Sequence, residues 1–369
     1  MLPSDNETVK SILQAWLKEK MAAKDLQVVA MKDRSGAGFS AETFYIDVAF
    51  SENGEVQERS LVVRCQNQSS DFFVDASIAF PYQVMDAVAK HSDVPVPNLI
   101  GLEMGDSVLG LPFLVMEKME GRVVQQSPNY NVGGWLTELS VEERRQVWLR
   151  GIDQMAAVHR LDWQDGFQFL ANPKYGQPGI DGYLGWVKEW YEWARGKPIP
   201  LMERAYARLL NEKPENAPVS VLWGDPSPSN VLYAYDNTVS VVLDWELANL
   251  GPAEVDLAWW LFFDDLFSHG MGVPRLEGLP NREETIAHYE QKLGRKVAPL
   301  DYYDLLATFR MAIVGMRAVD RQIERGTIPA TSTARSNQPI MALLAKRMGE
   351  PDIEVGEDYA QFAKVIGLA

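Results

Sequence analysis

Residues 221–260 read VLWGDPSPSNVLYAYDNTVSVVLDWELANLGPAEVDLAWW, and this stretch decides the fold. Asp225, Asn230, Asp244, Glu246 and Asp256 stand there between apolar runs that read as buried strand. Charged groups beside a core are costly unless they find partners or a metal, so the pattern calls for a function. Pro226 and Pro228 bar a regular helix between Asp225 and Asn230. The backbone must turn there, and such a turn can aim a carboxylate and a carboxamide into one cleft. Asp244 follows the run Val239-Ser240-Val241-Val242-Leu243, the usual place for a strand to deliver a functional group. An Asp to orient a hydroxyl, with an Asn and a second Asp bearing oxygens for Mg²⁺, is the polar kit of phosphoryl transfer.

Working outward, the N-terminal side reads as a β-rich region. Val9, Ile12, Leu13, Trp16, Leu17 and Met21 recur at helical spacing, which predicts an amphipathic first helix. Strands are expected over 26–31, 43–50 and 56–66, the last two joined by a hairpin at Asn53-Gly54. A helix over 76–90 ends at Val94-Pro95-Val96-Pro97, and strands over 98–103 and 112–119 complete a small sheet. The loop Arg34-Ser35-Gly36-Ala37-Gly38-Phe39-Ser40 lies between two of these strands. Its glycines would let backbone N–H groups approach phosphates, and Ser40 adds a hydroxyl. Arg64 ends the apolar run Leu61-Val62-Val63, as an edge cation or as a charge held over those phosphates. Beyond Met119 the pattern is mostly helical, with helices expected over 141–160, 182–195, 201–211, 252–267, 283–293 and 300–325. Short strands over 219–223 and 239–244 frame the opening stretch as an embedded hairpin. The domain reading is therefore 1–118 as a nucleotide-binding lobe and 119–369 as a helical lobe.

The order of glycine-rich hairpin, basic residue on the third strand, connector, D-x-x-x-x-N loop and strand-ending Asp resembles the protein-kinase-like fold. GDPSPSNVLY followed by VVLDWELANLGPAEVDLAWW resembles the aminoglycoside/choline phosphotransferase family. The branch most similar is the one related to the kinase-like domain fused to acyl-CoA dehydrogenases. VPVPNLIGLE, LGLPFLVMEKMEGRVV, NYNVGGW and MAAVHRLDW support it in the same order. The resemblance implies an α+β bilobal fold, with a small antiparallel sheet and helix in the first lobe and a larger, mainly helical second lobe. It implies ATP and Mg²⁺ as cofactors and a hydroxylated small molecule as acceptor. Asp225 would be catalytic, and Asn230 and Asp244 would hold the metal. Gly36, Gly38, Ser40 and Arg64 would meet the phosphates, and the connector Glu117, Lys118 and Met119 would meet adenine. Asp256 would brace the catalytic loop, and Glu246 would stand near the metal or serve as a supporting base.

Two departures matter. Trp223 occupies the position of the usual His before Gly-Asp, where it can supply packing but only an N–H donor. The helix acid that should pair with the strand-three base is absent, since Gln83 stands where a Glu is expected. Arg64 is thereby left without an evident carboxylate. These departures favour, as the alternative, a nucleotide-binding pseudokinase module without transfer activity. A metal-dependent phosphoesterase is a third reading, though two-metal sites need more His and Asp ligands.

The bulk composition narrows the remaining classes. With 51 acids against 35 bases the net charge is −16, which disfavours nucleic acid and anionic membrane as partners. The single cysteine, Cys65, excludes an intrachain disulfide, and its strand neighbours mark it as a small core residue. No signal peptide or membrane span is legible, so the expectation is a cytoplasmic protein, monomer or homodimer. His91, His159, His269 and His288 have no metal spacing, and His159 at a helix end reads as structural. Trp186, Trp190, Tyr191 and Trp193 at helical spacing read as packing. Arg310 and Arg317, seven apart on one helix face, are solvated or ion-paired, or else bind an anionic substrate group.

Overall fold

The computed structural model describes residues 5–35, 41–66, 72–74 and 77–359. The chain divides into two compact units. Met1–Arg122 joins Val231–Glu246 in the first, and Val123–Asn230 joins Leu247–Ala369 in the second. The boundary near Arg122 lies a few residues past the connector. The stretch 231–246, which the sequence reading leaves in the helical part, groups with the first unit. Elements are numbered along the whole chain.

In the first unit, α1 (Asn6–Lys20) starts at Asp5, whose carboxylate accepts from the Thr8 N–H at 2.9 Å. Its apolar stripe buries Val9, Leu13, Trp16 and Leu17. Each such burial contributes about 1.5–3 kcal/mol relative to exposure. The stripe packs on a five-stranded antiparallel sheet of order β1-β2-β3-β5-β4. The strands are β1 (Gln27–Ser35), β2 (Ala41–Glu52), β3 (Glu55–Gln66), β4 (Leu99–Glu103) and β5 (Phe113–Glu117). Phe44, Ile46 and Val48 of β2 and Leu61, Val63 and Cys65 of β3 alternate onto the α1 face, and Trp16 meets Phe113 at 4.9 Å. Asn53 (φ 54) and Gly54 (φ 85) make the β2–β3 turn, both left-handed as the strand twist requires. Helix α2 (Ala79–His91) buries Val84, Met85 and Val88 and leaves Gln83 exposed. The short β6 (Arg122–Val123) lies at the unit boundary.

The strands that frame the opening stretch do not pair with each other. In the first unit β9 (Val239–Val242) pairs with β8 (Val231–Tyr233), and Val242 N donates to Pro95 O at 2.8 Å. In the second unit β7 (Ser220–Leu222) pairs with β10 (Asn249–Gly251). Strands of three and four residues carry too little pattern to name a partner, and long-range packing chooses it.

The rest of the second unit is helical. It comprises α3 (Trp135–Glu138), α4 (Val141–His159), α5 (Ile180–Ala194), α6 (Pro200–Asn211), α7 (Glu254–Phe267), α8 (Arg282–Leu293), α9 (Asp301–Glu324) and α10 (Pro339–Met348). Capping boxes start α4 (Ser140 with Glu143) and α8 (Asn281 with Glu284). Helix α7 is buried on nearly every side, the signature of a central helix. Trp148 of α4 meets Trp260 edge-on at 5.3 Å. Trp190 and Tyr191 of α5 are buried. Among the described residues no helix is long and apolar enough to cross a membrane.

Candidate active site

The loop after β7 is built from the backbone outward. Trp223 is fully buried, and Gly224 follows it at φ +92. A Cβ on Gly224 would stand 2.0 Å from Leu247 O, so only glycine fits this turn. The next residue, Asp225, is half-buried and held at both oxygens. Trp259 Nε1 donates to Oδ1 at 2.7 Å, and Asn230 Nδ2 donates to Oδ2 at 3.0 Å. Asn230 Nδ2 also donates to Asp225 O at 2.9 Å, across a tight turn at Pro228–Asn230. The amide N–H atoms of Asn230 thus point at Asp225, and its Oδ1 makes no hydrogen bond among the described residues.

Asp256, in the first turn of α7, braces this loop from a fully buried position. Its Oδ2 accepts from Trp223 N at 2.8 Å and from Gly224 N at 3.2 Å, and lies 3.0 Å from His159 Nε2. His159 Nδ1 lies 2.6 Å from the Tyr289 hydroxyl. Burial pushes the Tyr289 phenol well above its ordinary range, so it stays protonated. With Tyr289 donating to Nδ1 and Nε2 donating to Asp256, all three groups are satisfied. Packing at position 223 is supplied by Trp, and the histidine of the brace arrives from α4.

A small crevice beside the loop is lined by Tyr130, Ser227, Pro228, Ser229, Phe263 and Phe267. Gln126 Nε2 donates to Ser229 Oγ at 2.8 Å along its rim.

The first unit carries the second set of polar groups. Arg64 of β3 finds a carboxylate after all: its Nη2 lies 3.3 Å from Glu246 Oε2, with both side chains largely sheltered. The acid comes from the segment after β9 and not from α2. Trp245 between the two acids is buried, and its Nε1 donates to Val242 O at 3.0 Å. That anchor turns Asp244 and Glu246 away from the core. Asp244 takes φ +58, a left-handed conformation that Asp tolerates better than most residues. Its carboxylate makes no hydrogen bond or ion pair among the described residues. In the connector, Glu117 N donates to Asn98 O and Lys118 N to Ser60 O, both at 2.8 Å. Glu117 also pairs with Arg59 at 3.2 Å and Lys118 with Glu120 at 2.8 Å. Of the three connector residues, Met119 is the one whose N–H makes no such bond among the described residues.

Gly36, Gly38 and Ser40 lie outside the described residues. Arg310 and Arg317 part company despite sharing a helix. Arg317 lies over Trp193 at 4.6 Å and within 3.8 Å of Asp320, whereas Arg310 is wholly buried and forms no ion pair among the described residues. Sequence reasoning missed Trp259 and Tyr289 altogether. The only signal for Trp259 was its spacing of one helical turn from Asp256 on α7.

The family model described as the phosphotransferase enzyme family matches residues 36–289. A mouse acyl-CoA dehydrogenase family member 10 is 26% identical, with 80% of this chain and 27% of that protein covered. A human acyl-CoA dehydrogenase family member 11 is 25% identical, with 86% and 40% covered. The chain therefore spans less than half the length of these relatives. Among solved structures, a candidate aminoglycoside phosphotransferase from Ralstonia eutropha superposes with a TM-score of 0.68 at 22% identity, covering 92% and 98% of the two chains. Aminoglycoside phosphotransferase APH(4)-Ia, in a ternary complex with ADP and hygromycin B, superposes at 0.54 and 15% identity, covering 92% and 99%. These likenesses show the fold, an α+β protein-kinase-like one. With more than half its length matched by the family model, the chain belongs to the phosphotransferase enzyme family.

Proposed function

We propose that the protein transfers the γ-phosphate of Mg²⁺-bound ATP to a hydroxyl of a small molecule. The observation that carries this reading is the Asp225 carboxylate, held at both oxygens on a turn that only glycine can make. Such a group can orient an acceptor hydroxyl and take its proton late. The complex of APH(4)-Ia with ADP and hygromycin B supports the same reaction class.

Asn230 and Asp244 would hold the metal. Each residue by itself suits it: among the described residues Asn230 Oδ1 makes no hydrogen bond, and the Asp244 carboxylate is unengaged. Hard oxygen donors in this number suit Mg²⁺, which keeps waters and takes its other ligands from phosphates. When bound, the ion neutralises charge on the nucleotide phosphates. Arg64, aimed by Glu246, would contact those phosphates, and Met119 would offer its N–H to adenine. Trp223 in place of histidine does not argue for an inactive module, because Asp256, itself held by His159, accepts from the loop N–H groups without it.

Transfer from radiolabelled ATP to a panel of hydroxylated compounds tests the proposal, with Mg²⁺ present and then chelated. Labelled product that disappears on chelation supports it. Nucleotide binding without transfer across the panel would reassign the chain to a nucleotide-binding module. Arg64→Met should weaken Mg·ATP binding about tenfold or more, since a hydrogen bond to a charged group contributes about 1.5–3 kcal/mol. Glu246→Gln, which keeps a neutral acceptor for Arg64, should weaken it less. Calorimetric titration of both variants checks this, and an unchanged Kd in Arg64→Met would remove Arg64 from the phosphate site.

A further inference from the structure

The site as described leaves Arg310 unused, although this residue of α9 is wholly buried. Its Nη2 donates to Gly224 O at 2.7 Å, the carbonyl just before Asp225. Among the described residues its Nε and Nη1 make no well-formed hydrogen bond, the Tyr183 hydroxyl stands near the guanidinium, and no carboxylate pairs with it. Its Cζ lies 4.1 Å from the ring centroid of Trp259 and 5.8 Å from that of Tyr183. A guanidinium sealed from water with one neutral acceptor and two ring faces is a poor device for stability alone. Its position supplies another reason. A cation over an indole face draws electron density from the ring and makes the ring N–H a stronger donor. That N–H is the one that binds Asp225 Oδ1 at 2.7 Å. One side chain therefore grips both the peptide that precedes the carboxylate and the ring that orients it.

We propose that Arg310 and Trp259 act as one positioning unit that gives Asp225 a single carboxylate orientation toward the acceptor hydroxyl. The proposal rests on the reading of Asp225 given above. A carboxylate rotates readily about its terminal bond, and Asn230 holds only Oδ2. Removing the Trp259 N–H takes away the hydrogen bond that orients Oδ1. Misaiming of this kind lowers the rate of transfer and leaves nucleotide affinity alone.

Trp259→Phe keeps a ring beneath Arg310 and removes the N–H. Its kcat for acceptor phosphorylation should fall roughly 10- to 100-fold, with the Kd for Mg·ATP within about two-fold of wild type. The double variant Trp259→Phe with Arg310→Met should lose no more than the worse single variant, as groups that act as a unit do. A second readout needs no turnover. The indole N–H resonance that vanishes in Trp259→Phe should lie downfield and exchange slowly in the wild type. It should move upfield and exchange faster in Arg310→Met and in Asp225→Asn. If Arg310→Met fails to fold, Trp259→Phe and the indole signal in Asp225→Asn decide the matter. A folded Trp259→Phe with kcat within about two-fold of wild type overturns the proposal. So do multiplicative losses in the double variant, or an indole resonance that neither substitution moves. If the wild type transfers no phosphate to any acceptor, the functional reading fails, and the indole measurements still decide whether the unit exists.

Discussion

Asp225→Asn should lower acceptor phosphorylation by about 10²–10⁴-fold, the range a positioned proton acceptor contributes. The substitution changes little in shape but much in bonding. Asp225 now accepts at both oxygens, from Trp259 and from Asn230. An amide in its place can satisfy only one of those donors and turns an N–H₂ group toward the other. The loop should remain folded, because the brace on Trp223 N and Gly224 N is made by Asp256 and not by Asp225. The measurements are kcat on an acceptor found in the labelled-ATP screen and calorimetric binding of Mg·ATP. A rate within about tenfold of wild type, with binding intact, would mean that Asp225 does not orient the hydroxyl.

Asp256→Ala should have the largest effect on stability, about 3–5 kcal/mol. It removes the acceptor for two buried backbone N–H groups and for His159, all within a fully buried pocket. Each orphaned donor costs about 1–3 kcal/mol, and relaxation recovers part of the sum. For a unit of this size that corresponds to a melting temperature lower by roughly 6–20 °C. Thermal unfolding followed by circular dichroism, with urea midpoints as a second measure, checks the result. Tyr289→Phe removes only the far end of the same chain of hydrogen bonds and should cost less, about 1 kcal/mol. A variant with Ala at 256 that melts with the wild type would show that the loop is braced by something other than this carboxylate.

Much of the fold was legible locally. The α1 stripe, Asn53-Gly54 and the breaker Pro95-Val96-Pro97 each act through neighbours in sequence, and the elements they predict are present within a few residues. Helix α10 was legible too and went unread. It has Pro339 in its first turn, Gly349 in the left-handed conformation just past its end, and buried Met341, Leu344 and Ala345 between. The three- and four-residue strands were not legible as pairs. Their partners lie elsewhere in the chain, and a run such as Val239–Val242 fits any sheet edge equally well.

The sequence by itself determined the chemistry available at the site. Two prolines force the Asp225–Asn230 turn, Gly224 permits it, and Asp244 follows a strand because short-range backbone rules require no more than this. The tertiary structure decided which groups meet one another around these residues. Arg64 and Glu246 are 182 residues apart, His159 and Asp256 are 97 apart, and Gly224 and Arg310 are 86 apart. No periodicity connects such positions. Their pairing is settled by packing, where a buried charge or N–H must find whichever partner the core brings within reach.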